Sequence, residues 1–529
     1  MNYIKSMHIE GFKKFESLDI IFNKHTNILV GDNESGKSTI LEALAIVLNQ
    51  KYRNSDKSVL RDLFNKNIVE VFSQERSIKT LPRILIEVEL DLESLPPNKA
   101  SYFYGECYKF RKKQEEKFGI TFECKYDEEL GLGVNDVIKD GKIPYEFYSL
   151  TWTTFANRPY VLANHPLNTV SIDATDIKAN SSFNQYNKAL FTSKYDDSTR
   201  LKIKNDFRLS IENSLEELKL PPLSENRKFG IDTKKVVFES IISIFENSIA
   251  LENRGSGMES LIKTQIALDK SNKIDVVMLE EPENHLSLTS LNTMLQEISS
   301  KQKDSQIVIT THNNLIASRL NLKNVLWISE KSVRSLQYVD SKVAEFFMRA
   351  DHNGFLQMLL AKKAILVEGA TEYLLLPKFY EESMNRTMEE DGVTVISCNG
   401  ISYKNYLEIA KVANKPVAVI TDNDGVQKRI EYANDFNAEN NLQQIFMGTT
   451  PDQWTWESCI YDKNVELLTE LVSIKPGAEY RFNGIKYEPV LGKMLNNKVD
   501  TAYMMLNSDK RFIIPDYVKG AFKWISKLS

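Results

Sequence analysis

Two sets of residues in this chain have the types and spacing to do chemistry. The first is Gly31-Asp32-Asn33-Glu34-Ser35-Gly36-Lys37-Ser38-Thr39, which fits a phosphate-binding loop, GxxxxGK followed by Ser or Thr. Glycines let backbone amides wrap phosphate oxygens, Lys37 reaches the β/γ oxygens, and the Ser38 hydroxyl ligates magnesium. Further on, Val276-Val277-Met278-Leu279-Glu280-Glu281 is an apolar run ending in paired carboxylates. Glu280 is placed to hold the magnesium shell through water, and Glu281 to orient the attacking water or take its proton. Ile307-Val308-Ile309-Thr310-Thr311-His312 then brings an imidazole to the end of another apolar run, within reach of a γ-phosphate.

The second set is acidic. Glu368 and Glu372 lie four residues apart where a strand gives way to a helix, and Asp422 and Asp424 follow the strand-like run 417–421. Ligands of open α/β sheets gather at the carboxyl edge of the strands. Carboxylate clusters there favour magnesium or manganese, which activate water and steady the leaving oxygen of a phosphodiester. Each acidic pair taken alone is an ordinary solvated turn; it is their order along the chain that points to a site.

Elements able to position these residues are legible. MHIEGFKKFESLDIIF alternates with a break at Lys13 and Lys14, TNILV is a short buried strand, and STILEALAIVLNQ has helical spacing of apolar residues. RILIEVELDLE, residues 83–93, alternates as a strand of a smaller antiparallel layer. Residues of about 140–245 are loop-rich and then helical, and are expected to form a helical insertion between two halves of one ATPase. Its apolar positions Phe207, Leu209, Ile211, Leu215 and Leu218 offer an additional dimer surface. From residue 363 onward, strands alternate with helices as a parallel sheet requires. The expected division is an ATPase domain over 1–362 and a second α/β domain over 363–529.

Residues 1 to about 330 resemble an ABC-type ATPase head of the RecF and SMC kind, including the GxNxSGKS form of the loop. In that family two heads enclose two ATP molecules, so the resemblance implies at least a homodimer, with each head lending a signature loop to its partner's nucleotide. The matching segment is Arg254-Gly255-Ser256-Gly257-Met258, which departs from the usual LSGGQ; a plain helix-capping loop is the competing account of Ser256 and Gly257. The EGxxE and DxD pattern in turn resembles the Toprim domain. Nucleases of the OLD family carry a further acid and a lysine, and Glu457 and Lys498 fall at those places, with Lys493 competing for the second.

An ATPase head followed by Toprim is the OLD architecture, and the single-chain order is most similar to its class 2 members, among them the Gabija nuclease subunit and retron-associated effectors. This resemblance implies ATP and Mg2+ (or Mn2+ at the acids) as cofactors, and DNA as substrate. It also implies anti-phage defence, with a helicase, a reverse transcriptase or another defence component as partner. A DNA-repair ATPase, or a nucleotide-gated scaffold whose Toprim fold binds without cutting, is the rival account.

Composition agrees with a folded, non-membrane chain. The 529 residues are 42% hydrophobic and 26% charged, with 21 Gly and 15 Pro, a Gly and Pro share below the usual value of about 12%. No apolar run approaches the roughly 18 residues of a membrane span, and the N-terminus lacks a signal-peptide core, so a cytoplasmic location is expected. Cys107, Cys124, Cys398 and Cys459 are scattered with no CxxC pair, so neither a disulfide framework nor a zinc knuckle is indicated. The net charge is −5, yet the nine Lys/Arg of residues 481–529 face only four acids, a local excess that a phosphate backbone would attract.

Overall fold

The computed structural model describes residues 1–106, 116–129, 134–173, 180–217, 222–224, 227–228, 238, 241–269, 274–301, 305–329, 332–350, 354–475 and 477–528. The chain packs into two compact units, 1–312 with 328–333, and 313–327 with 334–529.

The first unit begins with a hairpin, β1 (Tyr3–Phe12) and β2 (Phe15–Ile21), reversing at Lys13, which has φ 48°. Strand β3 (Thr26–Gly31) is buried along its whole length and delivers the phosphate loop to helix α1 (Lys37–Asn49). Ile40, Leu41, Leu44, Val47 and Leu48 form the buried stripe of α1, so the helix is anchored by its apolar face and its first turn stays free for chemistry.

Strands β4 (Ile84–Asp91), β5 (Tyr104–Glu106), β6 (Glu116–Tyr126) and β7 (Tyr148–Thr154) complete an antiparallel sheet of order β2-β1-β4-β6-β5, with β7 also on β6. Strand β8 (Thr169–Asp173) then joins the other sheet. Helices α2 (Asn180–Lys194), α3 (Asp197–Glu217) and α4 (Ser256–Ala267) precede β9 (Val276–Glu280), α5 (Leu288–Lys301) and β10 (Gln306–Thr310). β3, β10, β9 and β8 lie side by side and parallel.

This corrects the extent of the helical insertion. Residues 148–154 and 169–173 are sheet strands, because Tyr148, Trp152, Val170 and Ile172 are buried and their backbones pair with β6 and β9; the helical part is α2 and α3. Within it Leu209 is exposed and Phe207 packs on Phe238, while the side chains of Leu215 and Leu218 lie outside the described residues.

The second unit starts earlier than residue 363. Helices Ser341–Arg349 and Phe355–Leu360 pack with it: Phe347 meets the Tyr406 ring, and the Gly354 N–H donates to the Tyr406 hydroxyl. Its sheet comprises β11 (Lys363–Val367), β12 (Val393–Ser397), β13 (Val417–Ile420) and β14 (Gln443–Phe446), all parallel in the order β12-β11-β13-β14. Helices α6 (Ala370–Met384), α7 (Tyr403–Ala413) and α8 (Gln427–Glu439) connect them. After the sheet come α9 (Trp456–Lys463), α10 (Pro489–Asn496), α11 (Lys498–Leu506) and α12 (Asp516–Lys527).

Tyr380, Trp456 and Phe522, all at most 1% exposed, hold α6, α9 and α12 in one core. Strand order reverses between β11 and β13, which makes the gap at their carboxyl ends the natural ligand crevice. The chain is thus mixed α/β: a unit with two sheets that carries the phosphate loop, followed by a unit built on a four-stranded parallel sheet. No helix among the described residues is long and apolar enough to cross a membrane.

Candidate functional site

The phosphate loop is shaped for its task. Glu34 and Gly36 have φ 65° and 99°, and a Cβ on Gly36 would stand 2.3 Å from the Phe15 ring, so glycine is required there. The Lys37 ammonium, 6% exposed, donates to the carbonyls of Gly31 and Asp32 at 3.0 Å each. Burial lowers its pKa, opposed by the nearby Glu281, Asp32 and Glu280. Asn33 and Ser38 are exposed at the loop surface, and Thr39 is half-buried.

The paired carboxylates separate into different roles. Glu280 is pushed up by burial, while the Ser38 hydroxyl beside it acts in the opposite direction; these are the two groups assigned to one magnesium shell. Asp173, at the end of β8 and in register with Glu280, adds a further negative charge that sequence reasoning missed. Glu281 turns away at φ 42°, with its N–H on the Thr310 carbonyl at 3.0 Å. One of its carboxylate oxygens accepts from Asn284 at 2.9 Å, and the other lies 3.5 Å from His312 Nε2.

Glu283 was also missed. Its Oε1 accepts from the Thr311 hydroxyl at 2.5 Å and the His312 N–H at 3.1 Å, which fixes the histidine loop. Only the run EEPE hinted at it.

At the signature segment, α4 begins at Ser256, whose side chain lies outside the described residues. A Cβ on Gly257 would approach the His285 carbonyl oxygen to 2.2 Å, so the start of α4 rests against the loop that follows Glu281.

In the second unit the acids meet at the crevice between β11 and β13. Glu368 Oε1 accepts from the Thr421 hydroxyl and from the Asp422 N–H, the latter at 3.3 Å. Asp422 Oδ1 accepts from the Trp456 N–H at 2.8 Å, at the first residue of α9. Glu457, the next residue and 3% exposed, is ion-paired with Lys498 at 2.8 Å. Burial, then repulsion from Glu368, Glu457 and Glu372, pushes Asp422 up to about 8. Burial, then Glu457 and Glu368, pushes Glu372 up to about 7. Burial lowers Lys498, but Glu457, Asp422 and Glu372 together raise it overall. The competing Lys493 instead donates to the Ser473 carbonyl at 2.5 Å.

Asp424 stands apart from this group, exposed and ion-paired with Arg429. Between the two aspartates, Asn423 is fully buried and its amide nitrogen donates to the carbonyls of Gly448, Thr450 and Gln453 at 2.9–3.0 Å. It ties the DND turn to the next loop, a role that a three-letter polar motif does not reveal.

The acids fit a divalent ion by their chemistry: the donors are all carboxylate oxygens, and Asp422 and Glu372 resist carrying charge together without a cation. Among the described residues no three His, Cys, Asp or Glu side chains are already gathered in ligand geometry, so side chains must turn for the site to close on an ion. Cys124, Cys398 and Cys459 are buried free thiols, and Cys107 lies outside the described residues.

Comparison with known proteins finds two families, one after the other along the chain. The family described as AAA domain matches residues 6–345, and the family described as Overcoming lysogenization defect protein-like, TOPRIM domain, matches residues 359–424. Curated relatives include the DNA replication and repair protein RecF of Agathobacter rectalis, 33% identical over 108 residues, covering 19% of this chain and 30% of the relative. RecF of Clostridium acetobutylicum is 38% identical over 61 residues, 11% of this chain and 17% of the relative. The chain therefore spans less than a third of either relative.

Among solved structures, the Smc head domain bound to the C-terminal domain of ScpA from Pyrococcus furiosus is 14% identical with TM-score 0.32, covering 64% of this chain and 96% of that one. The C-terminal region of the Xanthomonas campestris pv. campestris OLD protein is 19% identical with TM-score 0.24, covering 31% and 92%. With a phosphate loop, paired carboxylates and histidine assembled within the matched span, the chain belongs to the AAA domain family and carries an OLD-like Toprim domain behind its ATPase.

Proposed function

We propose that this protein binds and hydrolyses ATP and is a divalent-metal-dependent DNA endonuclease or nickase of the OLD type, controlled by a homodimer of its ATPase heads. The convergence of Glu368, Glu372, Asp422 and Glu457 with Lys498 at one sheet edge carries this: Glu372 and Glu457 are buried, Asp422 is half-buried and Glu368 is exposed beside them, and so many carboxylates around one ammonium are costly to keep unless a cation and a phosphate use them.

Glu368, Glu372 and Asp422, joined by Asp424 and with Glu457 completing the shell, would hold Mg2+ or Mn2+. A bound divalent ion supplies Lewis acidity and a more acidic water at such a site. Lys498, oriented by Glu457, is set to steady the negative charge of the phosphate or leaving oxygen. In the ATPase, Lys37 would neutralise the phosphates, Ser38 and Glu280 would hold Mg2+, and Glu281 would orient the attacking water while His312 contacts the γ-phosphate. Ser256 and Gly257 would complete the nucleotide site of a second copy.

The family resemblance extends the proposal to a cytoplasmic anti-phage defence effector, working with a helicase, a reverse transcriptase or another defence component. The test is plasmid nicking by the full-length protein in Mg2+ or Mn2+, with and without ATP. Cutting that requires the metal supports the nuclease. Metal-dependent ATP turnover with intact plasmid in every condition would leave the DNA-repair ATPase as the function.

A further inference from the structure

The DND turn leaves one of its two acids outside the cluster. Asp424 has φ 52°, its side chain is 52% exposed, and its carboxylate is ion-paired with the guanidinium of Arg429, which is 47% exposed in the first turn of α8. The charges acting on Asp422 come instead from Glu368, Glu457, Glu372 and Lys498. Arg429 is nevertheless at the mouth of the site: its guanidinium also donates to the Asp422 carbonyl at 3.5 Å, and together with Glu368 it acts on the phenol of Tyr403 at the head of α7.

The backbone of the turn is held in place while this side chain is not. The Asp424 N–H donates to the Trp454 carbonyl at 3.0 Å, and the Gly425 N–H to Asn423 Oδ1 at 2.8 Å. The Asp424 carboxylate itself is held by an exposed ion pair, and its side-chain bonds can rotate without a change of backbone. An exposed ion pair is weak, so a stronger cation beside the other acids can take the carboxylate away. The partner left behind, a planar guanidinium, is the side chain best matched to a phosphate.

On the premise of the metal-dependent Toprim site above, we propose that Asp424 and Arg429 form a latch. In the metal-free protein Arg429 holds Asp424 off the cluster; when an ion binds, Asp424 leaves to join the other acids, and the freed Arg429 takes a phosphate of the DNA strand. Metal and DNA then bind with positive coupling, because one carboxylate cannot serve both cations at once. Arg429 is a positioning residue in the metal-free state and a phosphate contact in the loaded one.

The experiment uses full-length protein without nucleotide, so that only the acids compete for metal. Mn2+ is titrated and its free concentration read by electron paramagnetic resonance for wild type, Arg429→Gln, Asp424→Asn and the double variant. Arg429→Gln is expected to bind Mn2+ about two- to fivefold tighter, the range an exposed pair can contribute. Placed in the Asp424→Asn background it should change nothing, whereas a general field effect of the lost charge would persist there. Binding of a labelled phosphorothioate duplex should strengthen with Mn2+ in wild type, lose that gain in Arg429→Gln, and recover part of it in Arg429→Lys. Mn2+ affinity in Arg429→Gln no tighter than wild type, or an equal gain in the Asp424→Asn background, overturns the latch while the Toprim site stands. Undiminished Mn2+ binding by Asp422→Ala removes the premise itself, and the latch with it.

Discussion

His312 Nε2 stands 3.5 Å from a carboxylate oxygen of Glu281, across the ends of two neighbouring parallel strands. Burial and the Lys37 ammonium lower the imidazole pKa, with Glu281 opposing, which favours the neutral ring. Glu281→Gln keeps the shape of the site and removes the carboxylate proposed to orient the attacking water. It should retain ATP binding and lose turnover by about a hundredfold or more, whereas Lys37→Ala should lose binding itself. Equilibrium binding of labelled ATP alongside steady-state hydrolysis checks both; normal hydrolysis by Glu281→Gln would show that another group does this work.

Glu283 holds the histidine loop in place. Its carboxylate accepts from Thr311 and from the His312 N–H, and hydrogen bonds to a charged group contribute about 1.5–3 kcal/mol. Glu283→Ala should therefore lower kcat by roughly tenfold to a hundredfold with KM for ATP little changed. A pure rise in KM would place Glu283 in nucleotide binding instead.

Asp422 and Lys498 lie in a unit separate from the phosphate loop. Asp422→Ala should abolish plasmid cutting in Mg2+ and Mn2+ while ATP hydrolysis continues. Lys498→Ala should slow cutting more than it weakens DNA binding, and it should also lower Tm, because Glu457 at 3% exposure loses its cationic partner. A variant that only lowers the salt dependence of DNA binding would mark Lys498 as a surface charge.

Asp422 sets a pH dependence of stability. Its pKa is pushed up to about 8 from 3.8, so between those values the folded state holds a proton that the unfolded chain releases. Stability of the metal-free protein should then fall as pH rises from about 4 to about 8. Thermal unfolding of Asp422→Asn should show a flatter profile over this range, and Mg2+ should raise the wild-type Tm more at pH 8 than at pH 6. Equal Mg2+ shifts at both values would argue against a metal at Asp422.

The start of α4 exposes Met258 at 45%, and Leu288 opens α5 at 68% exposure. Trapping ATP with Glu281→Gln should shift the protein to a dimer in X-ray scattering, and Met258→Asp should weaken that shift. A monomer with and without ATP would exclude head pairing.

What the sequence by itself determined is local. The phosphate loop, the buried strand before it, the helix after it, the carboxylates of Glu280 and Glu281, and the acids at Glu368, Glu372 and Asp422 all follow from strand, turn and helix signals spanning ten or twenty residues, where periodicity and motif spacing report directly on geometry. What the tertiary structure decided depends on partners far apart in the chain. Residues 169–173 look like part of a helical insertion until their backbone pairs with β9, which sets Asp173 beside Glu280. Glu283 becomes a support only because β9 and β10 are neighbours. Lys498 and Lys493 are indistinguishable as letters, and α11 brings the first, not the second, to Glu457 on α9. Asp424 shares a motif with Asp422 but points to Arg429, because a left-handed turn held by Asn423 and Trp454 sends the two side chains different ways. Spacing carries a residue to the right strand end; which way its side chain faces there is settled by packing and charge from elements that the local sequence does not contain.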